Sequence, residues 1–96
     1  MKVTILYSMK GCPFCDMIKE EFKKNDIFYI DRDINEFEDE YDEFVEVTEN
    51  EYVPAMMLLT LDDNQNASDV IMLTPDRDFQ DIYEGVNLVK EYLLDQ

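Results

Sequence analysis

Both cysteines of the chain lie in one short stretch, Gly11-Cys12-Pro13-Phe14-Cys15, and their spacing constrains the surrounding fold more than any other feature. Two thiols separated by two residues can form a disulfide when the second lies one helical turn after the first. Pro13 favours a helix that begins here, because its fixed φ suits the first helical position and that position needs no N–H donor. The sequence therefore predicts a helix that carries a thiol pair at its N-terminus.

The predicted helix makes the two cysteines unequal. Cys15, Ile18 and Phe22 recur at helical spacing, so Cys15 lies on the apolar stripe that faces a core. Cys12 lies outside this stripe, where unpaired N–H groups and the helix dipole stabilise a thiolate, and Lys10 adds a positive charge nearby. We hypothesise that Cys12 is an exposed nucleophile with a lowered thiol pKa, and that Cys15 is the shielded thiol that resolves a mixed disulfide.

Two structural interpretations of the cysteine pair are weaker. A disulfide across two intervening residues closes a very small loop, so it would remove little entropy from the unfolded chain. A structural zinc site needs four Cys or His ligands, whereas the sequence has two cysteines and no histidine. Redox chemistry is therefore the favoured interpretation, and no metal site is expected.

The length and composition suit one small domain. A chain of 96 residues with 46% hydrophobic residues can build one core, so residues 1–96 are expected to form a single domain. No stretch approaches the roughly 18 to 20 apolar residues of a membrane span, and the sequence begins with a strand-like run rather than a signal peptide. Because the cysteine usage also fits a reducing compartment, we expect a cytoplasmic protein that does not bind membranes.

The net charge of −16 is unevenly distributed. Acids and bases balance in residues 1–33, so the remaining residues carry the entire excess, and nine acids lie between Glu36 and Glu51. Such a surface would repel nucleic acid, which excludes that class of partner. Three interpretations of the acidic half stay open: a solvated face that improves solubility, steering toward basic protein partners, and adaptation to a saline cell.

Apolar runs and periodicity predict four strands and three helices. The strands are expected at residues 2–7, 27–31, 55–61 and 70–73, with helices at 13–25, at 35–50 and from 75 to the C-terminus. The second helix has an apolar stripe of Phe37, Tyr41, Phe44, Val45 and Thr48. Residues 62–69 are expected to form the loop of an antiparallel hairpin.

The last helix has a strong predicted start. Thr74 is a favoured N-cap residue, and Pro75 suits the first helical position. Gly85 interrupts the helical pattern and is expected to split it into two short helices by serving as the C-cap of the first.

This order of elements, with C-x-x-C at the first strand–helix junction, resembles the glutaredoxin family within the thioredoxin fold. The C-P-F-C motif of residues 12–15 is similar to the family pattern C-P-[aromatic]-C, and Val53-Pro54 is similar to its Val-Pro pair. Residues 78–88 are similar to the family's D-L-x-x-L-x-x-x-G-x-L ending. The resemblance implies an α/β, thioredoxin-like fold whose central mixed four-stranded sheet has the order 2-1-3-4 and is flanked by helices.

The resemblance also implies substrate-binding residues. Pro54 should follow a cis peptide bond and face the disulfide, while the backbone of Val53 pairs with glutathione or a peptide. Arg77 and Asp78 fall where the family recognises the γ-glutamyl end of glutathione. Alternatively, Asp78 has no role in binding and is simply an acidic residue in the first turn of a helix, where the helix dipole favours it.

Two further residues near the cysteines have expected roles. Phe14 is either a lid beside the disulfide or a surface aromatic at a docking site. Lys10 can reach the glycyl carboxylate of glutathione through its long side chain. The family usually has Gly-Gly before the last helix, where this chain has Thr74-Pro75, so this backbone cannot approach the ligand as closely.

By this resemblance the chain is expected to be a glutathione-dependent thiol–disulfide oxidoreductase. Glutathione would serve as the reductant, with no tightly bound cofactor, and a disulfide-bearing protein would be the substrate, ribonucleotide reductase being one family-level candidate. A monomer is expected. Three alternatives remain: a redoxin recharged by thioredoxin reductase, an iron–sulfur carrier that uses Cys12 of two protomers, and an acidic protein-binding module in which the cysteines are incidental.

Overall fold

The computed structural model describes residues 1–94 of the chain, which form four strands and three helices. In chain order they are β1 (Lys2–Ser8), α1 (Pro13–Lys24), β2 (Ile30–Asp33), α2 (Glu38–Thr48), β3 (Ala55–Leu61), β4 (Ala67–Leu73) and α3 (Ile82–Leu94). The strands form one mixed sheet in the order β2-β1-β3-β4. Both the order of elements and the order of strands confirm the predicted thioredoxin-like fold.

The central strand β1 sets the register of the sheet. It pairs in parallel with β2, with Ile5 opposite Ile30, and antiparallel with β3, with Tyr7 opposite Ala55. Strand β3 then pairs antiparallel with β4. Because β1 and β3 are the two inner strands, helices cover them on both faces, which explains their nearly continuous apolar sequences.

Alternate residues of β1 contribute to two cores, because successive side chains of a strand point to opposite faces. The core on one face is formed with α1 and α3, and the core on the other face is formed with α2. The first core includes Leu6, Ile18, Phe22, Met56 and Val89, and the second includes Val3, Ile5, Tyr7, Tyr41 and Phe44. The sheet is therefore the middle of three layers.

Tyr7 attaches α2 to the sheet. Its ring centroid lies 4.8 Å from that of Phe44 and 5.7 Å from that of Tyr41. Its hydroxyl donates a hydrogen bond to Oε2 of Glu40 at 2.7 Å. Burial of the hydroxyl, and then this carboxylate, raise the pKa of Tyr7 well above its ordinary value. The acid-rich helix is thus held to the sheet by aromatic contacts on its apolar side and by one hydrogen bond to Glu40.

Helix α2 confirms the predicted apolar stripe but is shorter than predicted. Tyr41, Phe44 and Thr48 are its buried residues. The backbone leaves the helical region at Phe37, which has φ −115° and ψ 46°, and again at Glu49, which is left-handed with φ 56°. The helix therefore spans Glu38–Thr48 rather than residues 35–50.

The predicted position of the second strand was wrong by three residues at its start. Asp26 is left-handed (φ 55°) and donates its N–H to Lys23, while the N–H of Ile27 donates to the carbonyl of Phe22 at 2.9 Å. These two bonds form a Schellman cap, whose usual hydrophobic contact joins Ile27 and Phe22 in the core. Ile27 therefore belongs to the end of α1, and β2 begins only at Ile30.

The hairpin confirms the antiparallel prediction, but β4 begins at Ala67 instead of Val70. The turn is short because Oδ1 of Asp62 accepts hydrogen bonds from the N–H groups of Asn64 and Asn66, at 2.8 and 3.0 Å. Such side-chain bonds to the following backbone stabilise tight turns. Strand β4 lies at the edge of the sheet, so its first residues can be polar without burying any charge.

The predicted start of the last helix at Pro75 was wrong. Residues 74–81 form a turn that is closed by a bridge between Pro75 and Phe79. Helix α3 begins at Ile82, where Oδ1 of Asp81 accepts the N–H of Glu84 at 2.9 Å and so caps the helix. Gly85 does not split the helix but lies buried within it. A Cβ at this position would be 3.2 Å from the Phe79 ring, so glycine allows that ring to pack against α3.

Candidate active site

Cys12 and Cys15 are joined by a disulfide at the N-terminus of α1, with their Cα atoms 5.2 Å apart. Cys12 is the N-cap residue, with extended backbone angles, and Pro13 occupies the first turn as predicted. The N–H of Cys15 donates a hydrogen bond to Sγ of Cys12 at 3.1 Å. The helix N-terminus is therefore directed at one sulfur of the pair, an arrangement that favours negative charge on that sulfur.

Cys12 is more accessible to solvent than Cys15, as predicted, but the difference is smaller than predicted. Cys15 is fully buried, and Cys12 retains only 7% of its accessible surface, so the expectation of an exposed Cys12 was wrong. In this structure the Cys12 sulfur is bonded to that of Cys15. Its neighbours Gly11, Pro13 and Phe14 are exposed, so the pair lies just beneath the surface with Cys12 nearer to it.

Partly buried polar contacts anchor the loop that precedes Cys12. Ser8, at the end of β1, donates its hydroxyl to Oδ1 of Asp31 at 2.6 Å, and Lys19 of α1 forms an ion pair with the same carboxylate at 3.0 Å. These contacts join β1, β2 and α1 at one point. Gly11 has φ +77°, a conformation that side chains rarely adopt, and it allows the chain to turn into the helix. The sequence analysis did not identify this network.

Val53 and Pro54 lie beside the cysteine loop. Their peptide bond is cis, as the resemblance implied. Ala55, the first residue of β3, pairs with Tyr7 near the C-terminal end of β1. Val53 and Pro54 therefore lie at the end of the inner strands where the cysteine loop begins. Pro54 is buried and Val53 is half-buried.

A groove with a volume of about 330 Å³ lies beside the cysteine loop and Val53-Pro54. It is formed by α1, by the segment before β3, and by the turn that leads into α3 together with the first residues of α3. Its lining residues are Phe14, Met17, Tyr52, Val53, Pro54, Pro75, Asp76, Phe79, Gln80, Asp81, Ile82 and Tyr83. Phe14, Tyr52 and Tyr83 are 58 to 66% exposed, so the groove has an aromatic rim beside the disulfide.

The groove brings together some of the predicted binding residues and adds others. Phe14, Val53 and Pro54, which were predicted to contact the substrate, all line it. Tyr52 and Tyr83 were missed. A signal was available for Tyr52, because it directly precedes Val53-Pro54, whereas Tyr83 resembles any other residue of an amphipathic helix.

Arg77 and Asp78 lie in the turn between β4 and α3, and neither is among the residues that line the groove. Arg77 donates to Asp78 from Nε at 2.9 Å and to the Met72 carbonyl from Nη2 at 2.6 Å. The N–H of Thr74 donates to the same Asp78 oxygen at 2.7 Å. Because the helix begins only at Ile82, the placement of this pair at a helix N-terminus was wrong.

The charge of Asp78 is well stabilised in this turn. Partial burial alone would raise its pKa, but hydrogen bonds from Arg77 and Thr74 outweigh that effect. The pKa of the carboxyl is therefore lowered, and the carboxylate holds the turn that forms one wall of the groove.

Lys10 lies in a second concavity, away from the Val53 groove. That concavity is lined by Met9, Lys10, Gly11, Asp16, Lys19, Asp31, Asp33 and Glu36. Four acids and two bases line it. Lys10 is thus near the cysteine loop but separated from the other predicted binding residues.

The fold and the site define a thioredoxin-fold protein with a vicinal cysteine pair at the N-terminus of its first helix. The glutaredoxin family model matches residues 4–58, which include both cysteines and Val53-Pro54. The chain belongs to the glutaredoxin family.

Two solved structures share the fold. A variant of the thioredoxin-like protein BC3987 superposes with a TM-score of 0.58 at 17% identity, covering 97% of this chain and 96% of that chain. A structure described as a malarial protein gives a TM-score of 0.52 at 18% identity, covering 98% and 99% of the two chains. A search of curated sequences finds no significant match.

Within residues 1–94, no helix is long and apolar enough to cross a membrane. The same residues contain no group of three or more His, Cys, Asp or Glu side chains arranged to hold a metal ion.

Proposed function

We propose that the protein reduces protein disulfides and mixed glutathione disulfides by a dithiol cycle of Cys12 and Cys15. The observation that supports this most directly is the unequal environment of the two sulfurs. Sγ of Cys12 accepts the N–H of Cys15 at the start of α1, and Cys15 is fully buried behind it. The family membership supports the same chemistry.

In the first step, the Cys12 thiolate attacks one sulfur of the substrate disulfide. The substrate S–S bond breaks, a bond between Cys12 and the attacked sulfur forms, and the departing thiolate takes a proton from solvent. The Cys15 thiol then loses its proton and attacks Sγ of Cys12. This releases the second substrate thiol, so two electrons pass from the protein to the substrate and the Cys12–Cys15 disulfide forms.

The substrate is proposed to lie along the groove. The backbone of Val53 pairs with the chain of the bound substrate, Pro54 lies beneath it, and Phe14 covers one side. We do not assign substrate contacts to Arg77 and Asp78, because they pair with each other. We do not assign one to Lys10, because it lies in the second concavity.

Two molecules of glutathione are the proposed reductant of the Cys12–Cys15 disulfide, as in the family. A protein reductase of the thioredoxin reductase kind is the second candidate, and one observation favours it. The groove contains Asp76 and Asp81, which would repel the two carboxylates of glutathione. We further propose that the protein acts as a monomer in the cytoplasm, where a reducing environment regenerates thiols.

Cysteine variants test the cycle. Cys12→Ser should abolish reduction of both a protein disulfide and a glutathionylated peptide, because the nucleophile is lost. Cys15→Ser should abolish the first reaction while retaining the second, since glutathione can resolve that mixed disulfide. If Cys12→Ser keeps full turnover, or if binding of a partner protein is all that can be measured in the wild type, the proposed chemistry is wrong.

Exchange of the reductant decides between the two candidates. The wild type is assayed on one disulfide peptide, with glutathione and its reductase in one reaction and thioredoxin reductase in the other, each with NADPH. Turnover only in the first reaction supports glutathione. Turnover only in the second would replace glutathione with the protein reductase and leave the dithiol cycle intact.

A further inference from the structure

We propose that the groove selects disulfides in basic protein segments that carry an aromatic residue beside the cysteine, and that it disfavours acidic segments. This inference rests on the proposed function and specifies its substrate. It is carried by three features of the described residues: the aromatic rim, the charges in the groove and the distribution of charge along the chain.

The rim gives the groove its affinity for apolar side chains. Phe14, Tyr52 and Tyr83 are each more than half exposed, and Met17 is 39% exposed. These side chains come from three separate segments and converge on one groove. Large apolar side chains that are exposed together commonly mark a docking surface, and aromatic residues provide contact area at low conformational cost.

The groove itself is acidic. Asp76 and Asp81 line it, and no Lys or Arg is found among its described lining residues. The nearest base in sequence, Arg77, is engaged by Asp78 and by the Met72 carbonyl. Basic side chains of a substrate therefore meet carboxylates here, while acidic side chains meet no counter-charge.

The surroundings reinforce this local charge. The second concavity beside the cysteine loop also contains more acids than bases. Glu49 and Glu51 precede Tyr52 within three positions of the chain and are exposed. Complementary charge of this kind raises the association rate and the specificity of a partner more than its final affinity.

Two matched peptide disulfides test the proposal. Both carry the same aromatic residue next to the cysteine, and they differ only in two flanking Lys residues or two flanking Glu residues. At low salt, kcat/KM of the reduced protein should be about tenfold higher for the basic peptide. The ratio should shrink toward one at about 0.5 M salt, because exposed charges are then screened.

A charge-matched pair of variants locates the effect. In Asp76→Asn/Asp81→Asn the groove loses both charges, and asparagine still tolerates the left-handed backbone of Asp76 (φ 69°) and still caps α3 at position 81. The control Asp63→Asn/Asp69→Asn removes the same charge from the β3–β4 hairpin, at the opposite end of β3. The preference should fall about threefold or more in the first variant and stay near the wild-type ratio in the control.

The outcomes separate this proposal from the proposed function. Equal kcat/KM for both peptides in the wild type would overturn the charge selection while leaving the reductase activity in place. An equal loss of preference in the hairpin control would overturn the assignment to the groove. Reduction of neither peptide would overturn the proposed function itself.

Discussion

Gly85→Ala tests how α3 packs against the turn that forms one wall of the groove. The new Cβ would lie 3.2 Å from Cδ2 of Phe79 and 3.4 Å from Cε of Met56. Met56 can move its flexible end, whereas the Phe79 ring is 3% exposed and has little room. Overpacking of a core typically costs about 1 to 3 kcal/mol. Replacement of glycine within a helix gains back about 0.8 to 1 kcal/mol.

We therefore expect Gly85→Ala to lower the free energy of unfolding by about 1 kcal/mol. Urea unfolding with the Cys12–Cys15 disulfide intact measures this, and Asn87→Ala is the matched control. Asn87 is exposed in the same helix, so its replacement should stabilise by a few tenths of a kcal/mol. In a Phe79→Leu background the penalty of Gly85→Ala should shrink, because the ring no longer opposes the methyl group. A Gly85→Ala protein more stable than the wild type would refute this account of the packing.

Three further substitutions give distinct results. Asp78→Asn should cost about 1 kcal/mol at pH 7. Because the pKa of Asp78 is lowered in the folded state, the difference from the wild type in an acid unfolding series should shrink below the ordinary pKa of an aspartate and vanish only below the lowered pKa. The pKa of Tyr7 is raised, so the wild type should lose stability above pH 10 more steeply than Tyr7→Phe, as followed by circular dichroism. Phe14→Ala should change the free energy of unfolding by less than about 0.5 kcal/mol, since Phe14 is 60% exposed, yet raise KM for a peptide disulfide; an unchanged KM would remove Phe14 from the substrate contacts.

The parts of the fold that the sequence predicts well are those whose cause is local. Strand β3 is an inner strand with an unbroken apolar run, and its predicted bounds, Ala55–Leu61, agree with the structure. Helix α1 was placed within one residue because Pro13 supplies a start signal that needs no tertiary contact. Periodicity and proline geometry act over a few residues, so they can be read without knowledge of the fold.

The errors occur where a residue's role depends on what it packs against. Ile27 continues an apolar run and so suggests a strand, but its contact with Phe22 makes it part of the cap of α1. Thr74 and Pro75 have the chemistry of a helix start. Asp78 instead accepts the N–H of Thr74, which closes a turn and delays the helix to Ile82. In both cases a helix-capping or turn interaction outweighs a pattern that is otherwise correct.

In the candidate site too, some features depend on local sequence and others depend on tertiary contacts. The thiol pair depends on four consecutive residues, so the motif alone locates the chemistry. The groove depends on three separate segments, and the Asp78 carboxylate helps to hold the turn between β4 and α3 that forms the wall with Asp76 and Asp81. It follows that substitutions in this turn should change which disulfides are reduced, while leaving the exchange between Cys12 and Cys15 intact. The proposed reaction thus depends on residues that are adjacent in the sequence, and its proposed selectivity depends on residues that only the tertiary fold brings together.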